Sequence, residues 1–308
     1  MDMDKWLDLR PDDPMWGHHY TEKHMAGERL HYVRMGEGQG IHILLVHAYP
    51  GFWYDWRRII PVLAEHADVI AVDLMGFGMS EKPDYIAEEA YCANAHGKRL
   101  LRLLEELKIE ECYIMSYDGG ARACMVLMSI VPQRIKGAVF GGPPYPGFGE
   151  RKLEASAQRE FFYHYFLNFM DAEKFIGCSR ECVKYYLDYF YGHWVGNKGA
   201  LRPIEYEAII DEFAKTDGMR GYVRWYCSGS SQAIPKNVET SLEQWPVRHR
   251  VIVLWGADNP VLPAEWSDRM DSYWSNYSLE ILPGVGHFIP WEAPEKMIAS
   301  IKLLIAEG

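Results

Sequence analysis

One acidic residue stands where the chain could carry a nucleophile. Asp118 lies in the segment 116–120, Ser-Tyr-Asp-Gly-Gly, which follows the apolar run 112–115 and opens a helical stretch at 119–131. In this pattern, small-x-nucleophile-x-small, the small residues leave room for a strained turn. A carboxylate is ionised at neutral pH and can attack saturated carbon without a base. The alternative is that Asp118 only caps the helix that follows it, since Asp is among the best capping residues.

Two further loops carry groups that would complete such a site. His287 lies in the loop 282–288, after the last predicted strand and before the last predicted helix. It follows Asp118 in the chain order nucleophile, acid, histidine, and it would act as the general base for water. The segment 47–50, His-Ala-Tyr-Pro, ends another apolar run, and its Tyr49 backbone N–H with that of Gly119 would form an oxyanion hole. Outside this context, the segment would be only a tight turn.

Short apolar runs alternate with helical patterns along most of the chain. The patterns predict strands at 29–35, 41–47, 68–73, 112–115, 135–140, 247–256 and 278–284, and helices at 53–65, 91–107, 119–131 and 293–306. Nearly continuous apolar strands between helices are typical of a parallel sheet that is covered on both faces. The predicted fold class is therefore α/β, with a mostly parallel central sheet flanked by helices.

Residues 145–235 interrupt this alternation. They contain no clear strand but many aromatic residues, whereas the α/β pattern resumes at 247. A chain of 308 residues fits one α/β domain with an insertion better than two independent domains. We expect residues 1–144 and 236–308 to form the core and residues 145–235 to form an inserted helical cap.

With these motifs the chain resembles the epoxide hydrolase and dehalogenase branch of the α/β-hydrolase superfamily, over about residues 29–306. The resemblance implies the α/β-hydrolase fold with an inserted helical cap. It also implies that Asp118 is the nucleophile, that 47–50 is the branch's HGxP loop with the sequence HAYP, and that His287 is the base of a GxGH-type loop.

The resemblance further implies groups in the cap and a third member of the catalytic set. His164 lies where some relatives place a His that faces the nucleophile, and Tyr222 lies where they place a Tyr that binds the leaving group; the alternative for both is an aromatic cap core. The usual position of the triad carboxylate holds Asn259, so the neighbouring Asp258 is predicted to orient His287.

An epoxide-opening hydrolase with an alkyl-ester intermediate on Asp118 is the predicted function. Arg122 matches a carboxylate-binding Arg of the fluoroacetate dehalogenases, which keeps a dehalogenase for a small haloacid or haloalkane as an alternative. Gly119 weakens that alternative, because dehalogenases usually carry Trp or Arg there. Gly119 and Asn259 together motivate a third interpretation, a non-catalytic ligand-binding homologue. A Ser or Cys hydrolase of esters would need its nucleophile at position 118.

Composition limits the remaining classes of function. The formal net charge of -11 and the lack of a basic run exclude a phosphate backbone as partner. The six cysteines show no metal-ligand spacing, so we expect reduced thiols, no metal and no cofactor. The acidic N-terminus and the absence of a long apolar stretch predict a cytoplasmic protein without a membrane partner. The expected partner is a small apolar substrate, with Trp53, Phe162, Tyr165 and Trp225 as pocket walls; a homodimer stays open.

Overall fold

A mixed β-sheet forms the centre of the computed structural model, which describes residues 3–22, 28–84, 88–169, 171–230 and 248–308. Over these residues the sheet has eight strands in the order β1-β2-β4-β3-β5-β6-β7-β8. The strands are β1 His18–Tyr20, β2 His31–Met35, β3 His42–Val46, β4 Asp68–Val72, β5 Cys112–Tyr117, β6 Ile135–Gly141, β7 Val251–Gly256 and β8 Tyr277–Leu282. Strands β1 and β2 run antiparallel to their neighbours, and the other pairs are parallel.

Helices flank this sheet and fill the region between β6 and β7. The α-helices in the described ranges are α1 Met3–Leu7, α2 Ile60–Leu63, α3 Ala93–Glu106, α4 Asp118–Ile130, α5 Ala155–Glu160, α6 Phe162–Phe166, α7 Ala172–Ile176, α8 Arg180–His193, α9 Pro203–Phe213, α10 Arg220–Trp225, α11 Ile289–Glu292 and α12 Pro294–Glu307. Short 3-10 segments lie at Pro14–Trp16, Trp53–Trp56, Glu88–Tyr91, Pro132–Arg134, Pro146–Leu153 and Ala264–Ser272, and a π-helical turn at Tyr226–Ser230.

The predicted fold class is confirmed, because the central strands are apolar and buried along their whole length. In β4, β5 and β7 every residue is buried, including those that point to opposite faces. Burial on both faces requires helices on both sides, which explains why these strands are continuous apolar runs rather than alternating ones. Helix α4 packs on β5 and β6 and against α3, while α12 packs on β5, β6 and β7. The carboxyl ends of the parallel strands therefore meet at one edge of the sheet.

Two local predictions differ from the structure. The strand β1 was not predicted, because three residues at the edge of a sheet carry no usable periodicity. The predicted helix 53–65 is instead a 3-10 turn at Trp53–Trp56 and the short helix α2, which has a proline in its first turn. The first residue of the predicted strand 247–256 lies outside the described residues.

The described residues between β6 and β7 are helical and contain no strand. Residues 231–235 of the expected insertion lie outside the described ranges, so its boundaries stay a prediction. In the described parts of the chain, none of the helices combines the length and the apolar character that a membrane crossing requires.

Candidate active site

Asp118 lies at a sharp turn between β5 and α4. Its φ angle is 40°, in the left-handed region that a residue with a side chain rarely adopts. The turn is close to a neighbouring strand end, because a Cβ at Gly120 would lie 2.1 Å from the carbonyl oxygen of His47. The Ser116 hydroxyl donates to the Val46 carbonyl at 2.8 Å. The small residues of the predicted pattern are thus required by close contacts, and helix α4 has no side-chain capping hydrogen bond at its start.

Two backbone N–H groups converge on the carboxylate of Asp118. They belong to Gly119 and Tyr49, the two donors that the sequence predicted. Burial raises the pKa of Asp118 to about 7, although these two hydrogen bonds and the nearby Arg122 charge lower it. Donors that already point at the carboxyl group can also bind the oxyanion of a tetrahedral intermediate that forms on it.

The loop that carries Tyr49 is held by the histidine at its start. The ring of His47 is buried; its Nδ1 lies 2.9 Å from the carbonyl of Ala48, and its Nε2 accepts from the Leu74 N–H at 3.0 Å. Burial lowers the pKa of His47, so the ring is neutral, with its proton on Nδ1. The next turn is fixed by Asp73, which accepts from the Trp53 N–H at 2.8 Å. The amide of Tyr49 is therefore pre-oriented rather than free to rotate away.

His287 faces Asp118 from the loop after β8. Its Nε2 lies 3.9 Å from Asp118 Oδ2. The buried carboxylate of Glu292 holds this loop in place by accepting four backbone hydrogen bonds. Two come from the residues just before and just after His287, Gly286 and Phe288, and two come from the loop after α8, Gly196 and Asn197. Burial lowers the pKa of His287 to about 3, so the imidazole is neutral.

The prediction that Asp258 orients His287 is wrong, because the side chain beside His287 belongs to the next residue, Asn259. Asp258 is exposed, and its backbone N–H donates to the Val285 carbonyl at 2.9 Å. The buried side chain next to it, Asn259, places its Nδ2 3.3 Å from His287 Nδ1. The physical reason is the turn after β7, which directs residue 259 toward the site and residue 258 toward solvent. An amide, not a carboxylate, contacts the imidazole.

The predicted leaving-group tyrosine, Tyr222, differs from the two tyrosines that lie near Asp118. Tyr222 is fully buried, and its hydroxyl lies 3.3 Å from that of Tyr186. Tyr163 and Tyr226 are instead hydrogen bonded to each other and lie near enough to Asp118 for its charge to raise the pKa of both. Tyr226 follows Tyr222 by four residues, one helical turn further along the chain and just past the end of α10. That spacing was the signal that could have found it.

A small pocket lies in front of Asp118. It encloses about 350 Å³ of empty space, open mouth included, and its lining combines core and cap residues: Asp118, Gly119, Arg122, Pro144, Phe161, Tyr163, His164, Trp225, Tyr226, Val261 and Leu262. Three residues that the sequence predicted for the site are in this set: Arg122 as a carboxylate-binding group, His164 as a cap residue facing Asp118, and Trp225 as a wall. Burial lowers the pKa of His164 to about 3, so it is a neutral member of the lining.

Three other predicted wall residues do not line this pocket. Trp53 is completely buried and packs against Trp16 in the core, with ring centroids 5.1 Å apart. Tyr165 is 43% exposed and hydrogen bonds to Gln158. Phe162 is 41% exposed on the same short helix, α6. Only the face of α6 that carries Tyr163 and His164 points inward. A run of consecutive aromatic residues does not reveal which side of the helix is buried.

Gly119 is required by the aromatic floor of the site. A Cβ at this position would lie 2.3 Å from Tyr49 Cδ2. The Tyr49 ring stacks on Trp225 at a centroid distance of 4.2 Å, so it has little room to move. The space that a larger residue would need at position 119 is occupied by this stacked pair. Over the described residues, no group of three or more His, Cys, Asp or Glu side chains is arranged to hold a metal ion.

Comparison with known proteins gives the same family. The family described as "alpha/beta hydrolase fold" matches residues 41–294. Epoxide hydrolase 4 of Mus musculus is 26% identical over 295 residues, which are 92% of this chain and 78% of that protein. The soluble epoxide hydrolase of Corynebacterium sp. (strain C12) is 24% identical over 286 residues, 88% of this chain and 92% of that protein.

A solved structure supports the fold independently. The epoxide hydrolase of Bacillus megaterium in complex with an inhibitor superposes with a TM-score of 0.79 at 20% identity, over 94% of this chain and all of that one. The resemblance to the epoxide hydrolase branch and the hydrolase class predicted from the sequence are confirmed by these matches. This chain therefore belongs to the α/β-hydrolase fold family.

Proposed function

We propose that the protein opens epoxides to diols through an alkyl-ester intermediate on Asp118. The observation that carries this proposal is the hydrogen-bonded pair Tyr163 and Tyr226, which faces the Asp118 carboxylate across a small pocket. An epoxide oxygen needs a proton as its C–O bond breaks, and phenol hydroxyls opposite the nucleophile are placed to give it. The curated relatives named epoxide hydrolases support the same chemistry. We propose residues 145–235 as the cap that supplies both tyrosines.

The first step joins the nucleophile to the substrate. A carboxylate oxygen of Asp118 forms a bond to one epoxide carbon while the C–O bond of that carbon breaks. The alkoxide released takes the proton of Tyr226 or Tyr163, leaving a phenolate that the second hydroxyl stabilises. Because burial raises the pKa of Asp118 to about 7, the population of the attacking carboxylate should increase as the pH rises through neutrality.

The second step hydrolyses the ester. Water attacks the carbonyl carbon, His287 Nε2 takes the proton, and the N–H groups of Tyr49 and Gly119 hold the oxyanion. The bond to the alkyl oxygen then breaks and the diol leaves with the proton from His287. The carboxylic acid formed at Asp118 returns its proton to the phenolate, which restores the starting state without a cofactor.

A haloacid is a second candidate substrate, favoured by one observation. Arg122 lines the pocket beside Asp118, and its guanidinium could bind the carboxylate of a small haloacid. Displacement of a halide would use the same ester intermediate but would need no proton from the tyrosines. The two reactions therefore differ in their dependence on Tyr226.

The test traps the ester on the variant His287→Gln. The variant is incubated with a terminal epoxide, such as phenyl glycidyl ether, or with chloroacetate, and its intact mass is recorded. A gain equal to the whole epoxide, mapped to the peptide that contains Asp118, supports an epoxide hydrolase. A gain equal to the haloacid less hydrogen chloride supports a dehalogenase. The variant Asp118→Asn is the matched control and gains no mass.

A second variant separates the two chemistries by mechanism. Tyr226→Phe, combined with His287→Gln, lowers the rate of alkylation by the epoxide about 100-fold, the usual effect of losing one donor to a developing oxyanion. Alkylation by chloroacetate, which needs no proton, is expected to change less than about threefold. Equal effects on both substrates, or no adduct with a panel of either class, would overturn the proposal.

A further inference from the structure

The contact between Asn259 and His287 sets which ring nitrogen carries the proton. The Asn259 Oδ1 accepts from two backbone N–H groups, those of Val261 at 3.2 Å and Leu262 at 3.1 Å. The carbonyl end of the side-chain amide is thus fixed, and the NH₂ end is the one that faces His287 Nδ1 at 3.3 Å. A flipped amide would direct its NH₂ group at two backbone donors. The orientation therefore follows from the loop and not from the histidine.

An NH₂ group is a donor, so the nitrogen that faces it has to be an acceptor. In the neutral ring of His287, Nδ1 then carries the lone pair and Nε2 carries the hydrogen. Burial lowers the pKa of His287 to about 3, so the ring is neutral and carries one hydrogen. Around the ring lie the aromatic side chains of Trp194, Phe288 and Tyr117.

A general base for water needs its lone pair on Nε2, the nitrogen that faces Asp118 at 3.9 Å. That nitrogen has no hydrogen-bond partner in the part of the chain that the structure describes. Moving the hydrogen to Nδ1 would set it against the Asn259 NH₂ group, with the loss of one hydrogen bond and a buried donor left unsatisfied. Such losses lower the population of the base form about tenfold or more. A carboxylate at the same place would favour the base form instead.

We propose that Asn259 is a positioning residue that holds His287 with its hydrogen on Nε2, so that the wild-type protein forms the Asp118 ester faster than it hydrolyses it and accumulates it. The proposal rests on the proposed function, because it presupposes attack by Asp118. It adds that the wild-type protein, unlike a rapid hydrolase, releases its product slowly and spends most of each turnover as a covalent adduct. Asn259 sets this balance without touching the substrate.

The amide is chemically stable in this place. Side-chain amides are usually lost when the nitrogen of the next residue attacks the side-chain carbonyl to close a ring. The next residue here is Pro260, whose nitrogen carries no hydrogen and cannot close that ring. Asn259 is also only 4% exposed. The chain therefore does not convert this residue to Asp by itself, and the wild-type protein can be studied as encoded.

The decisive comparison is between the wild-type protein and Asn259→Asp. Both are mixed with excess phenyl glycidyl ether, and intact mass and diol are followed over time. The wild-type protein should form one equivalent of ester on Asp118 and release diol slowly afterwards. Asn259→Asp should release diol about tenfold faster or more and accumulate no ester. The double variant Asp258→Asn with Asn259→Asp has the same net charge as wild type and should behave like Asn259→Asp. The single variant Asp258→Asn is the control and should behave as wild type.

A second measurement reads the hydrogen directly and needs no substrate. In protein labelled with ¹⁵N-histidine, NMR distinguishes protonated from unprotonated ring nitrogens, and His287→Gln identifies the signals of His287. Wild type should carry the hydrogen on Nε2 and Asn259→Asp on Nδ1. A wild-type hydrogen on Nδ1, or wild-type turnover as fast as that of Asn259→Asp without ester, would overturn the inference.

Failure of the inference and failure of the proposed function give different results. If His287→Gln is alkylated but wild type turns over without accumulating ester, the proposed function stands and the role of Asn259 is refuted. If no variant is alkylated by any epoxide or haloacid, the ester mechanism itself is refuted. The wild-type mass and NMR measurements decide the inference even if Asn259→Asp does not fold.

Discussion

The variant Asp118→Asn should be more stable than the wild-type protein, and increasingly so as the pH rises. Burial raises the pKa of Asp118 from an ordinary 3.8 to about 7 in the folded protein. A shift of about three units corresponds to about 4 kcal/mol by which folding disfavours the ionised carboxylate. The side chain keeps 15% of its surface exposed, so solvent reduces this figure to about 2–4 kcal/mol. An uncharged amide of the same shape removes that loss.

The sign of the pH dependence follows from which state releases its proton first. The unfolded chain loses the Asp118 proton near pH 4, whereas the folded protein keeps it until about pH 7. Ionisation therefore favours unfolding over this window, and the loss of stability is complete above pH 7. The advantage of Asp118→Asn should grow by about 1–2 kcal/mol between pH 5 and pH 8.

Equilibrium unfolding in urea, followed by tryptophan fluorescence at both pH values, measures this change. The quantity to compare is the increase, from pH 5 to pH 8, in the difference in free energy of unfolding between Asp118→Asn and wild type. An effect of the amide that does not depend on pH is the same at both pH values and cancels. The control is Asp258→Asn, the same change at an exposed carboxylate, whose effect should stay within about 0.5 kcal/mol at both pH values. A difference that stays constant or shrinks from pH 5 to pH 8 would refute a raised pKa for Asp118.

Two further predictions concern the groups that hold the site in shape. Gly119→Ala should lower the free energy of unfolding by about 1–3 kcal/mol and strongly slow alkylation, because its Cβ would overlap the Tyr49 ring. The control is Gly192→Ala, at a helix position where a Cβ would meet nothing within 4 Å beyond its own helix backbone, and it should neither destabilise the protein nor slow alkylation. Glu292→Gln should lower the free energy of unfolding in urea by at least about 2 kcal/mol, because an NH₂ group would then face backbone donors. The control is Glu295→Gln, at an exposed position. A loss below about 0.5 kcal/mol for Glu292→Gln would contradict its role in holding the loop.

The core of the site could be predicted from the sequence because its groups lie on short turns directly after strands. The turn at Asp118 needs small neighbours for local steric reasons, and that need is visible as Gly119 and Gly120. The loops of Tyr49 and His287 end parallel strands, which bring their ends to one edge of the sheet. Local turn chemistry and strand order were therefore sufficient for these positions.

The remaining site residues could not be predicted, because their direction depends on packing between elements distant in sequence. Tyr222 in α10 and Tyr226 in the turn that follows it are equally good candidates from the sequence, and the contact of Tyr222 with Tyr186 excludes the first. Asp258 and Asn259 are adjacent, and the backbone of the turn decides which one points inward. Trp53 is indistinguishable from a pocket wall until its packing against the core is known.

The site combines a destabilising carboxylate, Asp118, with an amide as the partner of its histidine, and this combination argues against a passive binding role. Asp118 has a left-handed backbone, a strain of about 1–3 kcal/mol, and a carboxylate that folding disfavours when it ionises. A pocket that only binds ligand would gain stability from Asn or Gly at this position. Asn259, by contrast, has hydrogen-bond partners at both ends of its amide: its Oδ1 accepts from two loop N–H groups, and its NH₂ group faces His287 Nδ1. The strained backbone and the disfavoured charge thus belong to the residue that would attack, whereas Asn259 would act on the step that releases the product.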